Sequence, residues 1–232
     1  MNYLEFREKT KELPFFETKE LRLILGDKFT RTTLINLRNW VKKGYLLMLR
    51  RGLYIIAEVK NSVDVMTLAA KLYSPSYISL ETALSFYGII PEAVFTATSV
   101  TTRKTKGFKT PIGNFSYQKI KKEAFGGFET KKQGAISYNL ATPEKALVDF
   151  FYLNRNILNG SKDQFGGYRF NEDFKFDEKK MTNLAASFKN KKVLFLTKKF
   201  IKYYNTKNSY KKLEYILKKY KCASIENYLK TI

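Results

Sequence analysis

Thr32, Asn36, Asn39 and Lys43 follow one another at spacings of four, three and four. In a helix, at about 100° per residue, that rhythm sets them on one face. Their chemistry suits a duplex edge, since a carboxamide can pair with adenine and an ammonium with guanine or phosphate. Arg31, Ile35 and Lys42 flank the stripe, and Arg50 and Arg51 stand a few residues on. An ordinary amphipathic helix with a wetted polar face would show the same spacing. The stripe therefore takes its meaning from its surroundings.

A helix over residues 30–43 followed at once by a hairpin must position those side chains. Thr30 is placed to cap the helix, its hydroxyl taking up a free amide of the first turn. Leu34, Leu37 and Val41 share the inward face, with Thr33 and Trp40 beside them. Gly44 ends the helix as a C′ residue would. Residues 45–49 and 53–57 are apolar, β-prone runs joined across Arg50-Arg51-Gly52, where Gly52 can supply the positive φ of a short hairpin. Two earlier helices are expected. One covers 3–13, anchored by Leu4 and Phe6 and stopped by Pro14; the other starts at Thr18 and carries Leu21, Leu23, Ile24 and Leu25. Three helices and a hairpin with two arginines at its tip predict a winged helix-turn-helix over residues 1–60. Its expected DNA-contacting residues are Arg31, Thr32, Ile35, Asn36, Asn39, Lys42, Lys43, Arg50 and Arg51.

Composition narrows the chemistry. With 232 residues, 44% of them hydrophobic, the chain can bury a sizeable core. It contains no histidine, which removes Ser-His-Asp and Cys-His catalysis, HExxH-type metal sites and any imidazole base. A single cysteine, Cys222, allows neither an internal disulfide nor a cysteine-based zinc site. The expectation is a non-enzyme with no catalytic residues, metal or cofactor. No apolar run approaches the roughly 18 residues that span a bilayer. Charges in MNYLEFREKTKEL stand where a signal peptide needs an apolar stretch. A cytoplasmic protein is expected.

The net charge of +22 points to a polyanionic partner. The excess is uneven, because after Ser187 the chain holds 13 basic residues against 2 acidic ones. Lysine pairs recur at Lys191-Lys192 and Lys198-Lys199, then at Lys211-Lys212 and Lys218-Lys219. A seven-residue step returns almost to the same side of a helix, so each set builds a basic ridge opposite residues such as Val193, Leu194, Leu196 and Phe200. A solvated helix face, or lysine-rich codon usage, would read the same way.

Residues 61–232 are expected to form a second, mixed α/β domain. Helices are predicted from Ser62, with Val65, Leu68, Ala69 and Leu72 inward, over 80–87, and from Thr142-Pro143-Glu144 to about Leu153. Strands are predicted over 94–101, 112–117 and 135–140, and helices from Asp177 onward. Between the first two strands, Arg103, Lys104, Lys106 and Lys109 occupy a loop too polar for a core. It serves either as a phosphate or partner contact or as a solvated connection. The fold class is thus α+β: an N-terminal winged helix-turn-helix, then a mixed domain ending in basic helices. A metal-dependent nuclease would instead use acidic residues beside a lysine. Asp163 with Asp173-Phe174-Lys175, and Glu129-Thr130-Lys131, have that look, as short patterns do in a chain with 28% charged residues.

The N-terminal module, taken with YISLETALSFYGIIPE at 77–92 and ATPEKALVDFFYL at 141–153, resembles the AbiEi family. These are antitoxins of type IV toxin–antitoxin and phage abortive-infection systems. The resemblance covers residues 15–155 and lies in helix-packing text rather than catalytic signatures. It implies a winged-helix domain that binds inverted repeats in its own promoter DNA and represses the operon. It also implies a C-terminal domain that counters a nucleotidyltransferase-like toxin, generally without a stable complex. Carried onto this chain, the DNA-reading positions are Thr32, Asn36, Asn39 and Lys43, with Arg50 and Arg51 at the wing. The resemblance assigns no antitoxin residues, so the basic residues named above stand as candidates on charge alone. The competing expectation is an RNA- or partner-binding protein that acts through its basic C-terminal helices.

Overall fold

A computed structural model describes residues 1–92, 94–133, 136–171 and 173–219. Helix and strand are mixed, as the sequence predicted. Cys222 lies outside the described residues. The chain divides into two compact units, one holding residues 1–82, 94–120 and 128–140, the other 83–93, 121–127 and 141–232. The division does not fall at residue 60. The chain passes between the units several times.

The first unit opens with α1 (Tyr3–Thr10), β1 (Phe15–Glu17), α2 (Thr18–Leu25), α3 (Arg31–Lys42) and the strands β2 (Leu46–Arg50) and β3 (Leu53–Ile56). Asn2 starts α1, its side-chain oxygen accepting the Glu5 N–H at 2.9 Å. Leu21 and Leu25, four residues apart, bury the inner side of α2, while Leu23 is left 84% exposed. β2 and β3 form the expected antiparallel hairpin. The residues after Pro14 were not expected as a strand, yet Phe15, Phe16 and Glu17 pair antiparallel with Ile55, Tyr54 and Leu53. The small sheet therefore runs β1-β3-β2. An aromatic core lies beneath it, with the Phe6 and Trp40 rings 4.7 Å apart and Phe6 5.5 Å from Phe16. Burying each such ring contributes roughly 1.5–3 kcal/mol.

The same unit continues through α4 (Val65–Leu72), β4 (Ser76–Ile78), β5 (Thr96–Thr101), β6 (Lys106–Thr110), β7 (Gly113–Lys119), β8 (Phe128–Gln133) and all but the last residue of β9 (Ile136–Ala141), while α5 (Leu80–Phe86) begins in it and ends in the other. Asp64, not Ser62, caps α4, accepting the Thr67 N–H at 2.8 Å. The strands form a six-stranded sheet in the order β6-β7-β5-β4-β9-β8. Within it β5 and β7 are parallel, as are β4 and β9, while β4–β5 and β6–β7 are antiparallel. Much of the expected basic loop is thus strand, paired from Lys106 opposite Tyr117 to Thr110 opposite Gly113. Its polarity reflects an edge position, where lysines are tolerated and discourage further pairing.

The second unit carries α6 (Pro143–Leu153), α7 (Lys162–Gly167), α8 (Glu178–Ser187) and α9 (Lys191–Lys219). Thr142 caps α6 and Pro143 occupies its first turn, as predicted. Leu147, Phe151, Phe165, Met181, Phe188 and Phe200 are buried between the helices. So is Lys145. Its ammonium lies 2.8 Å from Asp149 Oδ1, donates to the Ala124 carbonyl at 2.7 Å and sits 4.4 Å over the Phe188 ring. Gly127 closes the same corner with φ +74°, and a Cβ there would meet Leu184 Cδ2 at 2.8 Å. Gly127→Ala is expected to cost about 1–3 kcal/mol in urea unfolding, through strain and overlap together. A change below about 0.5 kcal/mol, the range of neutral surface substitutions, would contradict that packing.

Glu144 does more than favour the helix dipole. It is buried, with the Lys180 ammonium at 2.9 Å and the Asp177 N–H donating at 3.2 Å. Burial alone would raise its pKa, but the hydrogen bonds from Lys180, the backbone amides and Thr142 outweigh it and hold the carboxyl below the usual range. With the folded value below the unfolded one, the contribution is present above the ordinary value of 4.5 and is lost as pH falls through the folded value. Glu144→Gln is therefore expected to be less stable than the parent near neutrality, with the gap closing in acid. Unfolding curves that keep a constant gap across that range would contradict it.

Candidate nucleic-acid interface

α3 docks through Thr33, Leu37 and Trp40, whereas Leu34 and Val41 are only half-buried. Trp40 sets this rotation by packing on Phe6 and, edge-on at 5.5 Å, on Tyr3. The outward face is consequently centred on Ile35, which is 46% exposed. Arg31, Thr32, Arg38, Asn39, Lys42 and Lys43 are exposed around it. Asn36 falls on the flank and is half-buried, its Nδ2 donating to the Met1 carbonyl at 3.1 Å. That corrects the expectation of a freely presented Asn36. Arg38 was missed, although the signal was present: Arg31, Ile35, Arg38 and Lys42 repeat the rhythm of four, three and four one residue earlier.

The hairpin also departs from two free tip arginines. Arg50 lies within β2 and turns back into the unit, half-buried. Its guanidinium donates to Glu17 Oε1 at 2.6 Å and to the Leu72 carbonyl at 2.9 Å. A buried carboxylate and an open carbonyl thus hold what sequence placed in solvent. Arg51 is exposed at the turn. Gly52 follows with φ +79°, and its carbonyl accepts the Thr18 N–H at 2.9 Å and the Thr18 hydroxyl at 3.3 Å. The tip is fastened to the first turn of α2.

Four basic residues expected together in the 102–111 loop separate into two groups. The Arg103 guanidinium lies 4.4 Å over the Tyr73 ring and donates to the Ser74 carbonyl at 3.0 Å, and Lys106 lies 4.8 Å over Phe108. Lys104 and Lys109 are exposed and do not line the cavity that Arg103 and Lys106 share with Arg50. Glu17, in that cavity, is held below the usual carboxylate range: burial opposes this, but the Lys19 hydrogen bond and the charges of Lys19, Arg50 and Lys71 prevail.

No family model matches this sequence, and no curated protein matches it.

In the second unit α9 turns Val193, Leu196, Phe200 and Tyr204 inward. Lys191, Lys198 and Lys199 are exposed and Lys192 is half-buried. Lys192 and Lys199 lie 5.2 and 5.5 Å over the Phe195 ring. Lys202, not singled out from the sequence, joins Lys199 and Lys162 along one surface cavity. Lys211, Lys212 and Lys219 are exposed, and the side chain of Lys218 lies outside the described residues. Twenty residues on from Lys191, Lys211 has turned through roughly 200° at 100° per residue, so the two lysine sets do not build one ridge. Lys211 pairs with Asp173 at 2.8 Å, and Lys131 with Glu129 at 2.7 Å. Asp163 is exposed, and among the described residues no three His, Cys, Asp or Glu side chains gather as a metal site. Among those residues, too, no helix is long and apolar enough to cross a membrane.

Proposed function

We propose that the protein is a DNA-binding antitoxin of the AbiEi kind. In this reading a winged helix-turn-helix in the first unit represses the operon by binding inverted repeats in promoter DNA. The C-terminal region, residues 61–232, counters a nucleotidyltransferase-like toxin without a stable complex. One observation carries it: the exposed side of α3 presents Arg31, Arg38, Asn39 and Lys42 around Ile35, with Arg51 at the turn of the hairpin that follows. The order helix, strand, helix, helix, strand, strand, with β1 closing onto β3, supports the winged-helix assignment. A major groove admits one helix and offers guanine to arginine, adenine to asparagine and the thymine methyl to an apolar side chain. A cytoplasmic setting, with no cofactor and no membrane partner, goes with that role.

A mobility shift on the upstream promoter tests it. Asn39→Ala is expected to cost about 1–3 kcal/mol and to relax specificity at its base pair. Asn36→Ala, whose amide is engaged by Met1, costs less. Arg51→Ala weakens all sequences alike. Promoter binding unchanged by Asn39→Ala and Arg51→Ala together would overturn the proposal.

A second reading, RNA or partner binding through α9, draws on Lys191, Lys198, Lys199 and Lys202. All four are exposed, and none forms an ion pair with a carboxylate of the described residues. Replacing Lys198, Lys199 and Lys202 by glutamine separates the two roles: protection against the toxin is lost while promoter binding persists. Magnesium-dependent cleavage abolished by Asp173→Ala would replace both readings with a nuclease.

A further inference from the structure

Arg103 and Lys106 converge with cations from three other segments of the first unit. Lys19, Arg50 and Lys71 join them around a cavity of about 340 Å³, into which one carboxylate, Glu17, also projects. Glu17 is already committed, 2.6 Å from Arg50 and 2.7 Å from Lys19. Lys71 is held by Glu20. The Arg50 and Lys71 side chains are only 31% and 30% exposed. Arg103 and Lys106 are placed by the Tyr73 and Phe108 rings and the Ser74 carbonyl, and among the described residues neither has a recorded carboxylate partner. Five cations, brought from α2, β2, α4, the segment before β6 and β6 itself, thus gather around one recess, Arg50 and Lys71 half-buried and Lys19, Arg103 and Lys106 exposed at its rim.

Glu17 and Glu20 offset part of this charge, and because close like charges repel, the excess left by Arg103 and Lys106 is most stable with a further anion between them. The recess sits at the lower end of the roughly 300–1,000 Å³ typical of small-molecule sites. That is the scale of two or three linked phosphates rather than a duplex backbone, which seeks an open surface. Guanidinium forks suit phosphate bidentately and lysines add point charge.

We propose that this recess binds the polyphosphate of a small ligand, of the nucleoside di- or triphosphate class, through Arg103, Lys106, Arg50 and Lys71. The site uses none of the α3 residues and does not depend on promoter recognition.

Isothermal titration of the full chain in 0.15 M salt, a physiological ionic strength, tests the proposal with sodium tripolyphosphate, ATP and inorganic phosphate as probes. Tripolyphosphate is expected to bind at one site per chain, and inorganic phosphate more weakly. An Arg103→Gln, Lys106→Gln variant is expected to lose about tenfold or more in affinity. Lys106→Gln alone, on an exposed edge strand, gives a smaller loss and serves if the double variant misfolds. A Lys122→Gln, Lys132→Gln variant removes the same charge elsewhere and is expected to stay within about twofold of the parent. ATP binding more tightly than tripolyphosphate would show that base and sugar are recognised too; equal affinities would confine recognition to the phosphates. Binding of neither probe at concentrations on the order of 1 mM, or equal losses in both double variants, would overturn the proposal. So would an Arg103, Lys106 variant that loses promoter affinity while no small anion binds, since the cluster would then contact nucleic-acid backbone.

Discussion

Replacing Arg31, Arg38 and Lys42 by glutamate is expected to weaken promoter binding by about a thousandfold or more. Each removes a charge-assisted contact of about 1.5–3 kcal/mol, and three together exceed the roughly 4 kcal/mol that a thousandfold represents. The three new carboxylates add repulsion. The salt dependence should change as well, since each lost phosphate contact flattens the slope of log K against log salt by about 0.9. Stability should barely move, because all three side chains are exposed on α3. Fluorescence anisotropy over a salt series, with a melting curve on the same sample, checks both. A variant that binds as tightly as the parent would remove α3 from the interface.

The largest effect on stability is expected at Lys145. Lys145→Ala removes the ammonium that stands 2.8 Å from Asp149, in a place where both side chains are 0% exposed. Taking one partner from a buried pair costs about 3–5 kcal/mol, because the carboxylate stays in a poor dielectric after the ammonium's charge is gone. The Ala124 carbonyl and the Phe188 ring lose the ammonium contact in the same step. Lys145→Met with Asp149→Leu should recover much of the loss, since two apolar side chains of similar volume avoid desolvation altogether. Urea unfolding of Lys145→Met, Asp149→Leu and the double variant reads the coupling directly. Additive losses would mean that the pair is not a unit.

What the sequence could and could not disclose follows from the range of each interaction. The start of α6 was legible because Thr142, Pro143 and Glu144 act on amides within one turn. The buried pair was not, although Lys145 and Asp149 stand four apart in plain text, because such spacing is far commoner on wet helix faces. The direction of α3 was undecidable from its own residues. Two stripes, 31-35-38-42 and 32-36-39-43, have the same rhythm, and the choice is made by Tyr3 and Phe6, more than thirty residues away, through Trp40. Arg50 was misplaced for a similar reason, since Glu17 and Leu72 are distant in sequence. β1 and β4, three residues each, are too short to show alternation and are buried along their whole length. β6 was hidden by edge lysines that resemble a loop.

The bond between Thr18 and the Gly52 carbonyl has a bearing on how any partner is met. Ordering a loose turn at the moment of contact would sacrifice about 1–2 kcal/mol of backbone freedom per residue. Here that backbone freedom disappears when the chain first folds, so the turn that carries Arg51 arrives at an encounter already shaped. Under the proposed DNA-binding role, recognition along this edge would be docking of a stiff corner rather than the closing of a flexible arm, with its span set by two residues of turn.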